Sequence, residues 1–134
     1  MKISLLAIAV FGIAAAVALD SCKNSFTPGS GTPVVFPSSN VHYTTVEQLF
    51  YQDCITSGCH DDGAVNTDAK VSFTSWSSTM TSVSGMVIPG KPENSILIQY
   101  VEGKFYHYPA LTSLLNQNQI NGLKTWIAEG APQN

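Results

Sequence analysis

Cys54, Cys59 and His60 are the residues whose types and spacing indicate chemistry with a cofactor. Two nearby cysteines with a histidine directly after the second form the arrangement that attaches a c-type haem. The thiols add across the two vinyl groups of the porphyrin, and the adjacent imidazole binds the iron as an axial ligand. The sequence therefore predicts one covalently attached haem c, with Cys54 and Cys59 as thioether attachments and His60 as the proximal iron ligand.

The spacing of the two cysteines is wider than in the usual motif. Four residues separate Cys54 from Cys59, where the usual form has two. On a helix, residues five apart point about 140° away from each other, so both thiols reach one porphyrin edge only if the backbone leaves the helical path. Ser57 and Gly58 favour that departure, because Gly accepts positive φ and Ser is common in turns.

Two other interpretations use the same residues. In an exported protein, neighbouring cysteines often form a small disulfide loop. A cluster of Cys and His can instead bind zinc, which takes four protein ligands in a structural site. Beyond the motif, the chain offers only His42 and His107 as further imidazole donors, without a second closely spaced pair. We therefore favour haem attachment over a plain disulfide, and a disulfide over zinc.

The first residues have the pattern of an export signal. An unbroken apolar run, Leu5–Leu19, follows Lys2 and is too short for a comfortable membrane span. The run ends in a sequence similar to a bacterial lipoprotein cleavage site, although Asp20 departs from the usual small or apolar residue. Residues 1–21 are thus predicted to be a signal peptide, with Cys22 as the lipidated first residue, and the alternative is a retained anchor helix. The predicted location is the bacterial cell envelope, facing the periplasm or the cell surface.

Composition divides the rest of the chain into two parts. Residues 22–43 are rich in Ser, Thr, Gly and Pro and are predicted to be a lipid-anchored flexible linker with a root-mean-square span on the order of 25 Å. Residues 44–134 form the predicted domain. Charged residues make up 11% of the chain, the formal net charge is −3 and there is no Arg. A nucleic-acid partner is not expected, because a phosphate backbone needs a basic patch.

The first predicted helix carries the first cysteine of the motif. Thr44 and Glu47 have the spacing of a capping box, which predicts that a helix begins there. Four residues then fall on one helical stripe: Val46, Leu49, Phe50 and Cys54. Cys54 is therefore expected on the apolar face of this helix, where a thioether would bring the porphyrin to the core.

Three more helices are predicted farther along the chain. After a short extended piece over residues 71–76, a short helix is expected near residues 75–82. A second opens at Pro92 and stops at Gly103, with Ile96, Leu97, Tyr100 and Val101 as its buried stripe. The last is capped by Asn116 and Gln119 and stops at Gly130, and its stripe contains Ile120, Leu123 and Ile127 beside Trp126. Gly122 would allow a neighbouring helix to approach closely. The predicted fold class is all-α, with about four helices.

Three motifs together give a resemblance to a known family. They are Phe50 followed by the Cys54, Cys59 and His60 motif, the segment PGKPENS at residues 89–95, and the segment WIAEGA at residues 126–131. Residues 41–134 resemble the single-haem cytochrome c domain common in Planctomycetes and Bacteroidetes proteins. The resemblance implies a class I cytochrome c-like fold around one covalent haem, with the first and last helices crossing beside it.

The sixth iron ligand is where this chain departs from the family. The family has a Met-Pro loop that supplies a methionine sulfur, whereas this chain has Tyr108-Pro109 preceded by His107. His107 is the preferred distal ligand, and Met86, Tyr108 or water are alternatives. A surface position, or a contact with a haem propionate, is the structural alternative for His107. Histidine in place of methionine is expected to lower the reduction potential, since methionine ligation raises it.

The predicted function is electron transfer by an exported, membrane-tethered cytochrome that carries a single haem. No Ser/His/Asp arrangement or carboxylate pair stands out, so an enzyme is not predicted, although an open sixth site would leave room for small-ligand chemistry. The expected partners are redox proteins of the cell envelope, with membrane contact through the lipid. The alternative is a non-redox surface lipoprotein that has a Cys54–Cys59 disulfide and uses the aromatic loop 105–108 as a binding patch.

Overall fold

The computed structural model describes residues 31–55, 59–63 and 70–133, and within these ranges the chain forms helices and irregular segments without a strand. The all-α prediction is confirmed for this part of the chain. Its elements in order are α1 (Tyr43–Asp53), α2 (Trp76–Thr81), a 3₁₀ helix (Pro92–Asn94), α3 (Ile96–Val101), α4 (Leu111–Leu114) and α5 (Gln117–Ala128).

The predicted signal peptide and the lipidated Cys22 lie outside the described residues. The same is true of Ser57 and Gly58, the residues expected to make the turn between the two cysteines. Among the helices that the structure describes, none is both long enough and apolar enough to cross a membrane.

Helix α1 begins two residues earlier than the predicted capping box implies. His42 is its N-cap residue, and no side chain caps the helix there, so the capping box predicted at Thr44 and Glu47 is wrong. Thr44 already lies in the first turn, where its hydroxyl cannot act as the N-cap acceptor. The apolar stripe is confirmed, since Val46, Leu49 and Phe50 are fully buried.

Helix α5 packs against α1 and closes the hydrophobic core. Its predicted capping box is present: the Asn116 side chain accepts from the Gln119 amide at 3.1 Å, and the Gln119 side chain accepts from the Asn116 amide at 2.9 Å. Trp126 is fully buried, and its ring centroid lies 5.8 Å from that of Tyr43 at the start of α1. The predicted stripe is correct at Leu123 and Ile127, while Ile120 is only half-buried.

The segment before α1 is part of the domain, although residues 22–43 are predicted to be a linker. Phe36 and Val41 are buried. The Asn118 side chain of α5 accepts from the Phe36 amide at 2.8 Å and donates to the Phe36 carbonyl at 3.0 Å. The Glu129 carboxylate accepts from the amides of Asn40 and Val41 at 2.7 and 2.8 Å. Any flexible linker therefore ends before Phe36.

The helix predicted from Pro92 to Gly103 is divided at Ser95. Ser95 has extended backbone angles, φ −76° and ψ 128°, and separates the 3₁₀ helix from α3. Its buried hydroxyl accepts from the Ile88 amide at 2.8 Å and donates to the Lys91 carbonyl at 3.0 Å. This hydroxyl therefore holds the preceding loop, and the chain turns here. Gly103 has φ 74° and follows the end of α3, as predicted.

The inner face of α3 differs in part from its predicted stripe. Leu97, Ile98 and Val101 are its buried residues, while Ile96 and Tyr100 are only half-buried. The division at Ser95 is the reason, because α3 begins a new helical register there. The short helix predicted near residues 75–82 is found as α2, where the Ser75 hydroxyl caps the Ser78 amide.

Candidate functional site

Cys54 lies where α1 ends, as its C-cap residue. Its amide donates to the Phe50 carbonyl at 2.8 Å, and its side chain packs against the hydrophobic core. Burial, with smaller contributions from the charge of Asp53 and from Cys59, raises the pKa of the Cys54 thiol to about 12. At neutral pH this thiol is therefore protonated.

His60 is oriented by a backbone carbonyl. Its Nδ1 lies 3.1 Å from the Val71 oxygen. With Nδ1 donating to that carbonyl, the lone pair is on Nε2, and this is how metal-binding imidazoles are commonly held. Burial is the main cause that lowers the pKa of His60, which favours the neutral imidazole that metal binding requires.

The loop that carries His60 is fixed to the segment just beyond it. The Phe73 amide donates to the His60 carbonyl at 2.9 Å. The Asp62 carboxylate accepts from the hydroxyls of Thr74 and Ser72, the second at 3.0 Å, and these two hydrogen bonds lower the pKa of Asp62. The loop predicted over residues 61–68 is thus anchored at its start; residues 64–68 lie outside the described ranges.

Aromatic rings connect His60 to the core. Its ring centroid is 5.0 Å from that of Phe73. Phe73 in turn stacks on Phe50 of α1, with centroids 4.4 Å apart and an angle of 21° between the planes. Phe50 is fully buried and Phe73 nearly so. The imidazole therefore rests on a packed aromatic column that begins one turn before Cys54.

His107 is the second histidine at this place. Its ring centroid lies 5.9 Å from that of His60, with 27° between the planes. Its Nδ1 is 2.8 Å from the Pro109 carbonyl oxygen, and the ring of Tyr100 lies edge-on to it at 5.9 Å. The structure thus brings together two of the residues that the sequence predicted as iron ligands.

The other two candidates for the sixth ligand have different surroundings. Met86 is buried in the core cluster, and its carbonyl accepts from the Leu97 amide at 3.0 Å. The Tyr108 side chain is 53% exposed. The rings that lie beside His60 are those of Phe73 and His107.

The donor set at this place consists of two imidazoles. In the part of the chain that the structure describes, no group of three or more His, Cys, Asp or Glu side chains could hold a metal ion. A structural zinc ion needs four protein ligands. A haem brings four nitrogens of its own and needs at most two ligands from the protein, and the His60–His107 pair supplies that number.

Two open surface depressions lie away from this pair. One, of about 520 Å³, is lined by Gly31, Val34 and residues of the outer face of α1. The other, also about 520 Å³, lies beside Asn40, His42 and Glu129. His60 and His107 line neither cavity, so the candidate site is defined by its donor atoms.

The contacts that position the two imidazoles were missed in the sequence. The Val71 and Pro109 acceptors are backbone carbonyls, which every residue has, so no residue type indicates them. The alternating apolar residues Val71 and Phe73 are the one signal that this segment packs inward.

Comparison with known proteins gives no match to a family model, to a curated protein or to a solved structure.

Proposed function

We propose that this chain is an exported, membrane-tethered cytochrome c with a single covalent haem, and that it transfers electrons and is not an enzyme. The observation that carries the proposal is the arrangement of His60. It directly follows Cys59 in the chain, and its Nδ1 is held by the Val71 carbonyl so that Nε2 is left for iron. A second imidazole lies beside it.

The residues have separate tasks in this proposal. Cys54 and Cys59 would hold the haem through their sulfurs; each thiol would add its sulfur to one vinyl carbon and its proton to the other, so that no atoms are lost and no oxidant is needed. His60 would provide an iron ligand, and Phe73, which stacks on Phe50, would keep water from one side of the His60 ring. The bound haem supplies the chemistry, a one-electron change between ferrous and ferric iron.

The class I cytochrome c-like fold is part of the same proposal. Its support is the contact between the first and last long helices, α1 and α5, through Tyr43 and Trp126. Further support is that Cys54 lies at the end of α1 and that the WIAEGA segment spans the end of α5.

Export and anchoring rest on the sequence of the first residues. Residues 1–21 would be removed as a signal peptide and Cys22 would carry the lipid, placing the domain in the cell envelope. Its partners there would be redox proteins that give or take single electrons, and we expect no nucleic acid among them.

Expression of the full chain in a bacterium that matures c-type cytochromes tests the proposal. The expected intact mass of the protein part is the mature polypeptide plus one whole haem, and the absorption spectrum should survive acid-acetone extraction. The double variant Cys54→Ala/Cys59→Ala should lack the adduct. As a matched control, Cys22→Ser should keep the haem and lose its membrane association. A polypeptide of unmodified mass, without porphyrin absorption, would contradict the proposal.

A second candidate function has one observation in its favour. Three aromatic side chains of the loop after α3 are exposed, Phe105 to 47%, Tyr106 to 87% and Tyr108 to 53%. In a non-redox lipoprotein this loop would be a binding patch, and the two cysteines would form a disulfide. The same mass measurement separates the candidates, because a disulfide lowers the polypeptide mass by two hydrogens.

A further inference from the structure

We infer that His107 is the second axial ligand of the proposed haem, so that the iron is held between two imidazoles and is closed to small external ligands. This inference rests on the proposed function and adds to it the identity and the consequence of the sixth ligand. A histidine ligand here differs from the methionine that the Met-Pro loop supplies in the family that the chain resembles.

The separation of the two rings is the first support. Metal–imidazole bonds are about 2 Å long, so two imidazoles that bind one metal ion from opposite sides have ring centroids about 6 Å apart. The observed distance between the His60 and His107 centroids is 5.9 Å. These two side chains therefore already have the spacing that shared coordination needs.

The tautomer of each ring is the second support. His60 Nδ1 faces the Val71 carbonyl at 3.1 Å, and His107 Nδ1 faces the Pro109 carbonyl at 2.8 Å. In both rings the Nδ1 proton is used by a backbone acceptor, which leaves the Nε2 lone pair as the donor. Such a hydrogen bond also fixes the ring plane and makes the ligand more basic.

The loop between α3 and α4 turns His107 inward. His107 is half-buried, while Tyr106 before it and Tyr108 after it are exposed. The start of the loop is fixed, because the Lys104 amide donates to the Gln99 carbonyl at 2.8 Å. Tyr100 of α3 contacts the rings of both Phe105 and His107, with centroids 5.3 and 5.9 Å away. The histidine is thus held beside His60 by contacts of its own loop and of α3.

The alternative ligands have surroundings that differ from those of His107. Met86 lies in the hydrophobic core, and its backbone is joined to α3 by the Leu97 amide. The Tyr108 side chain is 53% exposed. Of the three, His107 is the one whose ring lies beside that of His60, with centroids 5.9 Å apart.

The test compares the haem-loaded wild type with His107→Ala, using His42→Ala as the matched control. His42 is an exposed histidine at the N-cap of α1, where its side chain caps nothing. The wild type and the control should be low-spin in both oxidation states and should not bind carbon monoxide when reduced. His107→Ala should keep the haem mass, become high-spin and bind carbon monoxide stoichiometrically. Added imidazole should restore its low-spin spectrum.

The outcomes separate this inference from the proposed function. A wild type without a haem adduct ends the proposed function itself. A wild type with the adduct whose spectrum and carbon monoxide response are unchanged in His107→Ala overturns the inference and leaves the function standing. Should His107→Ala fail to accumulate, His107→Met serves instead. Its reduction potential should rise, since methionine ligation raises potentials, and an unchanged potential would overturn the inference.

Discussion

Ser95 is fully buried, and its hydroxyl holds the loop before α3 through two hydrogen bonds. It accepts from the Ile88 amide and donates to the Lys91 carbonyl, and so joins the two ends of the loop before α3. Within that loop Gly90 has φ 75°, and its amide donates to the Ile127 carbonyl of α5 at 2.7 Å. The PGKPENS segment therefore has a structural task, which is to fasten this loop to the last helix.

Replacing Ser95 with Ala should lower the free energy of unfolding by about 1–3 kcal/mol. The substitution leaves the Ile88 amide without its acceptor in a partly buried position, and an unsatisfied donor away from water costs up to about that much. Urea unfolding followed by circular dichroism measures the change. Ser84→Ala, at an exposed position of the preceding turn, should change the midpoint little. A Ser95→Ala variant as stable as wild type would show that water or another acceptor replaces the hydroxyl.

At this scale the sequence indicates which residues can do chemistry but not what orients them. Cys54, Cys59 and His60 follow from residue type and spacing. The roles of the Val71 and Pro109 carbonyls do not follow from the sequence, because every residue has a backbone carbonyl. Only the tertiary structure places these two against the imidazoles.

Among the elements, α5 was the most predictable because its signals are local. Its capping box lies within one turn, and its apolar stripe has the period of a helix. The division at Ser95 was missed because it depends on a side chain that binds the loop before it. Helix α4 is only four residues long, and so short a helix leaves no periodic pattern. The burial of Phe36 was missed because Pro and Ser residues surround it and because its partner is far along the chain.

The contact between Phe36 and α5 predicts an unusual effect at Gly122. A Cβ atom built there would lie 2.1 Å from Phe36 Cγ, which is far too close for two carbon atoms. Gly122→Ala should therefore force Phe36 away and cost roughly 2–4 kcal/mol, the combined scale of overpacking and a lost buried ring. In a Phe36→Ala background the same change should be neutral or stabilising by up to about 1 kcal/mol, because Ala is the better helix former.

A double-mutant cycle of thermal or urea unfolding measures this coupling. Asn121→Ala, at the exposed neighbouring position of α5, is the control for helix propensity, and it also removes only the exposed hydrogen bond from Gln117. Equal effects of Gly122→Ala in both backgrounds would mean that Phe36 does not pack on α5 in solution.

The charged link between α3 and α5 predicts a small effect that depends on pH. The Glu102 carboxylate accepts from the ammonium groups of Lys124 at 2.8 Å and of Lys104 at 2.9 Å. Both contacts lower the pKa of Glu102, and the contact with Lys124 has the larger effect. Since the folded-state pKa is below the unfolded value of about 4.3, the stabilisation is present above that value and is lost as pH falls through the folded pKa. For a pair so exposed it should not exceed about 1 kcal/mol.

Glu102→Gln should therefore lower the thermal midpoint slightly at pH 7, and its difference from wild type should shrink as the pH falls toward 3. High salt should shrink it as well, since exposed charges are screened. Glu47→Gln, on α1, removes the same charge at a distant place and serves as the control. A difference that grows at low pH would reverse the sign expected from the pKa.

For the whole molecule, the proposed haem accounts for the placement of its aromatic residues. The core formed by α1, α3 and α5 is one cluster, and the column of Phe50 and Phe73 leads from it to His60. A domain of about 100 residues is small for a core that must be stable alone. A covalently attached apolar group at the end of this column would enlarge the core at little entropic cost, because attachment removes the need to capture it from solution.

The haem-loaded protein should consequently be much more stable than the unloaded chain. If the bound group covers at least the roughly 200 Å² of a large aromatic side chain, burial contributes about 5 kcal/mol or more. For a domain of this size that corresponds to a fall of roughly 20 °C or more in melting temperature when the haem is absent. The unloaded chain should keep its far-UV circular dichroism and lose the near-UV signal of packed aromatic rings, as in a molten globule.

Two unloaded forms provide the comparison: wild type made without cytochrome maturation, and Cys54→Ala/Cys59→Ala made with it. They should melt at nearly the same temperature, because both lack the same group. If both unloaded forms have the melting temperature of the haem-loaded protein, the polypeptide core is stable by itself and the proposed haem does not stabilise the fold.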